Sequence, residues 1–229
     1  MSKLIGIIGA MDIEVDGIVS SMQNITSEEI SGVKFIKGTL FGKDVVVAKC
    51  GIGKVFASIC TQTMILKYHP DVIINSGVAG SLEKGLGVLD VVVASSVVQH
   101  DMDTSAIGDP KGLISGINVI YINTDENVQK SLMSACGELS CNTKLGTVAS
   151  GDKFIASKDD KDFIKGEFGA IACEMEGASI GHTCFVNNVP FGILRAISDG
   201  DGAEMDYCTF AKLAAEQSIK IVKKFVEIF

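Results

Sequence analysis

Leu4-Ile5-Gly6-Ile7-Ile8-Gly9-Ala10-Met11-Asp12-Ile13-Glu14 sets an apolar run of strand length directly against small residues and then acids. Leu4–Ile8 reads as a β-strand and Asp12–Met22 as the helix that follows it. The same succession recurs along the chain. Further strands are expected at Val45–Cys50, Val72–Asn75, Val88–Val98, Thr147–Ser150, Ala170–Cys173 and Phe191–Ile197. Between the first two of these strands, Ile30–Leu40 with the turn Gly42-Lys43-Asp44 reads as an antiparallel ribbon. Helical spacing predicts helices at Val55–Tyr68, Glu126–Leu139, Lys158–Lys165, Glu176–Asn187 and Tyr207–Phe229. In the last of these, Phe210, Leu213, Ala214, Ile221 and Phe225 form a stripe that fits core or interface. Strands followed by helices imply mainly parallel pairing, right-handed crossovers and helices on both faces of an α/β sheet.

The length, 229 residues with 47% apolar and 21% charged, suits one domain spanning residues 1–229. No repeat, low-complexity tract or linker interrupts it. The longest irregular stretch is His100–Gly116, and a loop of that length in a compact domain is usually functional or mobile. No apolar run approaches the roughly 18 residues of a membrane span. The N-terminal apolar stretch is too short for a signal peptide and is followed at once by Asp12, Glu14 and Asp16. Seven scattered cysteines without a C-x-x-C pair fit reduced thiols in a cytoplasmic protein. The net charge of −8 and the presence of a single arginine, Arg195, argue against nucleic acid as a partner.

In open α/β sheets, ligands bind beyond the carboxyl ends of strands. Here those ends run into Gly9-Ala10-Met11-Asp12-Ile13-Glu14, Gly51-Ile52-Gly53-Lys54, Ser76-Gly77-Val78-Ala79-Gly80, Glu174-Met175-Glu176-Gly177 and Ser198-Asp199-Gly200-Asp201. Glycines admit a ligand to the backbone, and carboxylates supply acid and base groups. Each cluster alone also has a plain structural explanation. Gly51-Ile52-Gly53 lacks the third glycine of a dinucleotide fingerprint and the frame of a P-loop, so a tight strand-to-helix turn accounts for it. Glu14 and Asp16 suit the first turn of a helix, and Asp199, Asp201, Glu204 and Asp206 suit a solvated loop. His69, His100 and His182 show no metal-ligand spacing, and Ser198-Asp199 has no neighbouring histidine to make a triad.

Together the clusters are far more specific. The chain resembles the methylthioadenosine/S-adenosylhomocysteine nucleosidases of the nucleoside phosphorylase superfamily. The resemblance is carried by Ile5-Gly6-Ile7-Ile8-Gly9-Ala10-Met11, Gly51-Ile52-Gly53-Lys54-Val55, Pro70-Asp71-Val72-Ile73-Ile74-Asn75, Ser150-Gly151-Asp152, Glu174-Met175-Glu176 and Arg195-Ala196-Ile197-Ser198-Asp199, in that order. It implies a single-domain, three-layer α/β sandwich with a central mixed, partly barrel-like sheet, usually a homodimer. It also implies hydrolysis of the N-glycosidic bond of 5′-methylthioadenosine and S-adenosylhomocysteine, as in methionine salvage, with neither cofactor nor metal.

By that resemblance Glu14 deprotonates the attacking water, and Met175 and Glu176 hold the ribose. Asp199 gives a proton or hydrogen bond to adenine N7, and Ser198 orients it. Phe154 stacks on the base, Ile155 reads its edge, and Val78, Ala79 and Gly80 line the ribose and water site. Met11 and Ile52 belong to the same pocket. The chemistry is coherent, because cleavage builds positive charge on the sugar and negative charge on the leaving base. Burial and the neighbouring acids are expected to keep a proton on Asp199.

A phosphorylase is the nearest rival, but Asn75 and Val78 stand where such relatives commonly place an arginine and a serine. A non-catalytic ligand sensor would not need all three acids. Hydrolysis of 6-amino-6-deoxyfutalosine, a reaction of some relatives, stays open. Arg195, inside a strand, is expected to be structural. Two departures bear on the 5′ substituent. Ile107 stands where relatives carry an aromatic that reaches the partner's site, and Tyr207 is the expected lid.

Overall fold

The computed structural model describes residues 3–199 and 207–229, with the side chains of the second segment described from residue 210. Strand β1 (Leu4–Gly9) lies between β4 (Lys43–Lys49) and β5 (Val72–Ser81), parallel to both. Beyond β4, the sheet continues through β3 (Val33–Leu40) to an edge strand, β2 (Gln23–Ile30), as consecutive antiparallel ribbons. On the other side the sheet closes. Strand β10 (Phe191–Asp199) pairs with both β5 and β6 (Val91–Gln99), and the circuit returns to β5 through β8 (Thr143–Ser150) and β9 (Ala172–Glu174). These five strands form a small barrel, and a short β7 (Tyr121–Asn123) flanks β6. The expected barrel-like sheet is present. The expected predominance of parallel pairing is not, since half of the strand pairings among the described residues are antiparallel.

The third dimension follows from the period-two alternation of the strands. Val45 and Val47 of β4 pack with Ile5, Ile7, Val72 and Ile74 against α1 (Asp12–Val19), α3 (Glu126–Glu138) and α6 (Tyr207–Ile228). Val46 and Ala48 face the other way, into a core shared with α2 (Lys54–Tyr68) and α5 (Gly177–Val186). Three layers result, and α4 (Lys158–Phe168) covers one end of the barrel over Val98, Ala149 and Ala170. In α6 the stripe is buried at Ala214, Ile221 and Phe225, but Leu213 lies 42% exposed and does not belong to it. Of the cysteines among the described residues, all are free thiols and all but Cys141 are buried.

One boundary is wrong in an informative way. Ser76-Gly77-Val78-Ala79-Gly80 reads as a turn after a strand, yet β5 runs on to Ser81. Pairing of Gly77–Gly80 with Arg195–Asp199 carries the strand through its glycines and closes the barrel. Gly77 is glycine for a local reason as well: a Cβ there would lie 2.6 Å from a Glu14 carboxylate oxygen.

Candidate active site

A cleft opens where β1, β5, β9 and β10 end. Its lining brings together Met11, Glu14, Ile52, Val78, Ala79, Gly80, Phe154, Ile155, Met175, Glu176, Ser198 and Asp199. Segments from residue 11 to residue 199 thus converge on one space. Ile107 is not among them; it sits in a short helical turn at Ser105–Ile107, 82% exposed. The Tyr207 side chain and the acids Asp201, Glu204 and Asp206 lie outside the described residues.

Glu14 occupies the third position of α1, where a carboxylate can reach back to the unpaired N–H groups at the helix start. Its Oε2 accepts the N–H groups of Ala10 and Met11 at 2.7 and 3.0 Å, and its Oε1 accepts that of Val78 at 3.1 Å. The helical-turn reading and the catalytic reading therefore describe one carboxylate. Burial pushes its pKa above the ordinary carboxylate value, against the pull of the Arg195 charge and the three N–H donors.

Glu174 and Glu176 sit at the junction of β9 and α5 and do different work. Both Glu174 oxygens accept the Gly177 N–H, and Oε2 also accepts that of Glu176, so this carboxylate caps α5. Ser150 and Arg195 donate to it as well. Burial opposes its charge, but the Arg195 cation and these hydrogen bonds outweigh burial and hold its pKa below the usual range. Glu176 has no such cation of its own. Gly53 donates its N–H to Glu176 Oε1 at 2.8 Å. Burial first, then the Glu174 charge, push the Glu176 pKa up to about 8.

The Gly51-Ile52-Gly53 turn is thus more than punctuation. Gly53 has φ +99°, and a Cβ there would lie 2.9 Å from Asp152 Oδ1, so only glycine presents that N–H to Glu176.

Arg195 is fully buried, as a strand position predicts, yet it is more than filler. Its guanidinium joins Glu174 to Asn75 Oδ1, while Asn75 Nδ2 donates to the Ile8 carbonyl at 2.9 Å. Its positive charge acts on Glu14 and Glu176 together. A lone arginine in an apolar strand signalled burial; nothing near it in sequence named its three carboxylate neighbours.

Ser198, 1% exposed, places its Oγ 3.3 Å from Asp199 Oδ1. The surroundings of Asp199 differ from expectation. Acids alone were foreseen there, but Lys161 of α4 sets its Nζ 3.1 Å from Asp199 Oδ2.

The fold and site define an α/β barrel-centred protein with carboxylates gathered at the strand ends. A model of the phosphorylase superfamily matches residues 4–227, and the chain belongs to that superfamily. It is 37% identical over 228 residues to the 5′-methylthioadenosine/S-adenosylhomocysteine nucleosidase of Staphylococcus haemolyticus, covering 98% of this chain and 100% of that protein. It is 39% identical over 231 residues to the aminodeoxyfutalosine nucleosidase of Helicobacter pylori, covering 99% of each. The crystal structure of a Helicobacter pylori MTAN mutant with 5′-methylthioadenosine in the active site superposes with a TM-score of 0.95 at 37% identity, over 100% of both chains. Within the superfamily, the chain belongs with the 5′-methylthioadenosine/S-adenosylhomocysteine nucleosidases.

Proposed function

We propose that this protein hydrolyses the N-glycosidic bond of 5′-methylthioadenosine and S-adenosylhomocysteine, releasing adenine and the 5-substituted ribose. The observation that carries the reading is the convergence of Glu14, Glu176 and Asp199 on one cleft, where Lys153 is the only basic side chain among the described lining residues. Glu14, fixed by three N–H groups, takes a proton from water as that water attacks the sugar. Glu176 accepts hydrogen bonds from the ribose hydroxyls, and its carboxylate stabilises the positive charge that develops on an oxocarbenium-like sugar. Asp199, oriented by Ser198, donates to N7 so that adenine leaves neutral. Met11, Ile52, Met175, Phe154 and Ile155 supply the apolar walls for the base and sugar.

Water is the better nucleophile than phosphate here. An anion needs free donors, preferably a guanidinium fork. Arg195 is buried behind the cleft lining, with its Nη2 bound to Glu174 and Asn75, and Lys153 is paired with Asp160 at 2.8 Å. Purified protein is therefore expected to release adenine from 5′-methylthioadenosine at the same rate with and without phosphate, yielding the free sugar. A phosphate requirement, with ribose 1-phosphate as product, would sink the hydrolase reading. The identity to an aminodeoxyfutalosine nucleosidase makes 6-amino-6-deoxyfutalosine the second substrate to assay beside S-adenosylhomocysteine and 5′-deoxyadenosine.

The dimer is part of the proposal. Helices α2 and α5 pack side by side with Ile59 (41%) and Val186 (51%) in one surface groove, and Val55 (69%) and Phe56 (57%) stand exposed on the preceding turn of α2. An apolar patch of this kind on a chain with net charge −8 fits a second copy packing by two-fold symmetry. Exposed Ile107 then serves the partner's 5′ pocket rather than its own. Phe56→Glu should elute at the 24.1 kDa of one chain while wild type elutes at twice that; equal elution would remove this face as the interface. Free buried thiols fit the reducing cytoplasm.

A further inference from the structure

The lysines near the cleft mouth are spent on surface acids. Lys153 pairs with Asp160, Lys158 with Asp162 and Lys165 with Glu83. Lys161 differs. From the second turn of α4 it turns inward, and its Nζ meets Asp199 Oδ2 at 3.1 Å, with both side chains less than a fifth exposed. The carboxylate is gripped from every side. Gly80 of β5 lies so close that a Cβ would stand 3.1 Å from Oδ2, and Ser198 lies 3.3 Å from Oδ1. The buried thiol of Cys173 on β9 feels the charges of Asp199, Lys161 and Glu174. Lys153, Glu14 and Glu176 face the same cleft, with Arg195 behind them. Asp201, next but one in sequence, lies outside the described residues. Among the described neighbours, only Lys161 sets an opposite charge directly on the carboxylate.

We propose that Lys161 is a positioning residue for Asp199: its ammonium fixes the carboxylate in the orientation from which it meets N7 of the base. This rests on the nucleosidase reading above. An ion pair between two largely buried side chains restricts the rotation of both, so Lys161 holds the Asp199 carboxylate where the purine must meet it. Nothing else about Lys161 requires this placement, since a helix-surface lysine could reach solvent as Lys158 does.

The test is kcat and KM for adenine release, with Tm alongside, for wild type, Lys161→Met and Lys161→Arg. A misplaced catalytic group can cost about 10²-fold in rate. In Lys161→Met the loss should therefore fall on kcat, by about 10- to 10²-fold, with KM and Tm little changed. Lys161→Arg should restore kcat. An unchanged kcat, a loss that falls on KM or follows Tm, or failure of arginine to restore the rate would each overturn the proposal. A purely structural lysine would lower Tm together with activity. If wild type itself releases no adenine, the nucleosidase reading falls first. Carboxyl-detected NMR then still reads the pair, because the Asp199 carboxyl signal must change in Lys161→Met and hold in Lys161→Arg.

Discussion

Glu14→Gln is expected to slow adenine release by about 10²–10⁴-fold, the usual worth of a positioned base. The loss should fall on kcat and kcat/KM together, with KM changed little, because the base acts on water in the transition state. The carboxylate also has a structural share. Three backbone N–H groups converge on its two oxygens, and an amide offers one oxygen and one NH₂ in their place. At least one N–H, from Val78 or from the helix start, then faces a donor. Leaving such a buried group unmatched costs about 1–3 kcal/mol, or on the order of 2–12 °C in Tm for a chain of this size.

A melt therefore separates the two contributions, since a modest Tm loss cannot produce a loss of several hundred-fold in rate at 25 °C. The pH profile adds a second check. Burial raises the Glu14 pKa, so the acid limb of wild-type kcat/KM should lie above 4.5, and the limb belonging to Glu14 should vanish in the variant. A variant retaining more than a tenth of the wild-type rate would take Glu14 out of the role of base.

Glu14 was legible because two independent patterns cross at it: an apolar strand stopping at Gly9, and a helical spacing starting at Asp12. The other half of the site was legible only in pieces. Glu174-Met175-Glu176 announces carboxylates after a strand, but not that the first caps α5 while the second stays charge-strained. That division depends on Arg195 and Gly53, which are distant in sequence. The passage of β5 through Gly77 and Gly80 was hidden, since glycines in a strand are favoured only by partners found after folding.

Strand β2 was missed for a related reason. Its Gln23–Ile30 sequence shows no apolar alternation and almost all of it is exposed. It is a strand because β3 beside it has its own inward face, with Val33, Phe35 and Leu40 buried. Lys161 carries no local signal at all. Lys158, Lys161 and Lys165 look alike on a helix surface, and only the curvature of the barrel brings one of them to Asp199. Val55, Phe56 and Ile59 lie in a helix the spacing predicts, but that they stand exposed is decided only by how the helix packs.

Glu176→Gln should make the protein slower and, above about pH 5, more stable. Burial, the Glu174 charge and the Glu14 charge push the Glu176 pKa up to about 8, against Arg195 and the Gly53 N–H. Its folded pKa thus lies above the ordinary carboxylate value of 4.5. The neutral form is the one the fold favours, so its contribution is fully present below about pH 4.5 and is lost as pH rises through about 8. The loss accrues at about 1.4 kcal/mol per pH unit across that window. Glutamine keeps a carbonyl for the Gly53 N–H and carries no charge to bury. The Tm difference between variant and wild type should therefore be near zero at the acid end. It should grow with pH and level off above about 8, reaching on the order of 10 °C.

Glu174 has the opposite sign, its lowered pKa costing stability as pH falls, but it is present in both proteins and cancels in the difference. Activity moves the other way, because an amide cannot place negative charge beside the oxocarbenium-like sugar, and a loss of about 10²-fold or more is expected. Melts of both proteins at several pH values between 4.5 and 8.5, with adenine release measured alongside, test the pair of effects. A pH-independent Tm difference would show that the charge at this position is not strained, and the site would then bind its sugar by hydrogen bonding alone. A growing difference with lost activity would show that the fold gives up stability at neutral pH to keep an ionisable carboxyl where the sugar becomes cationic.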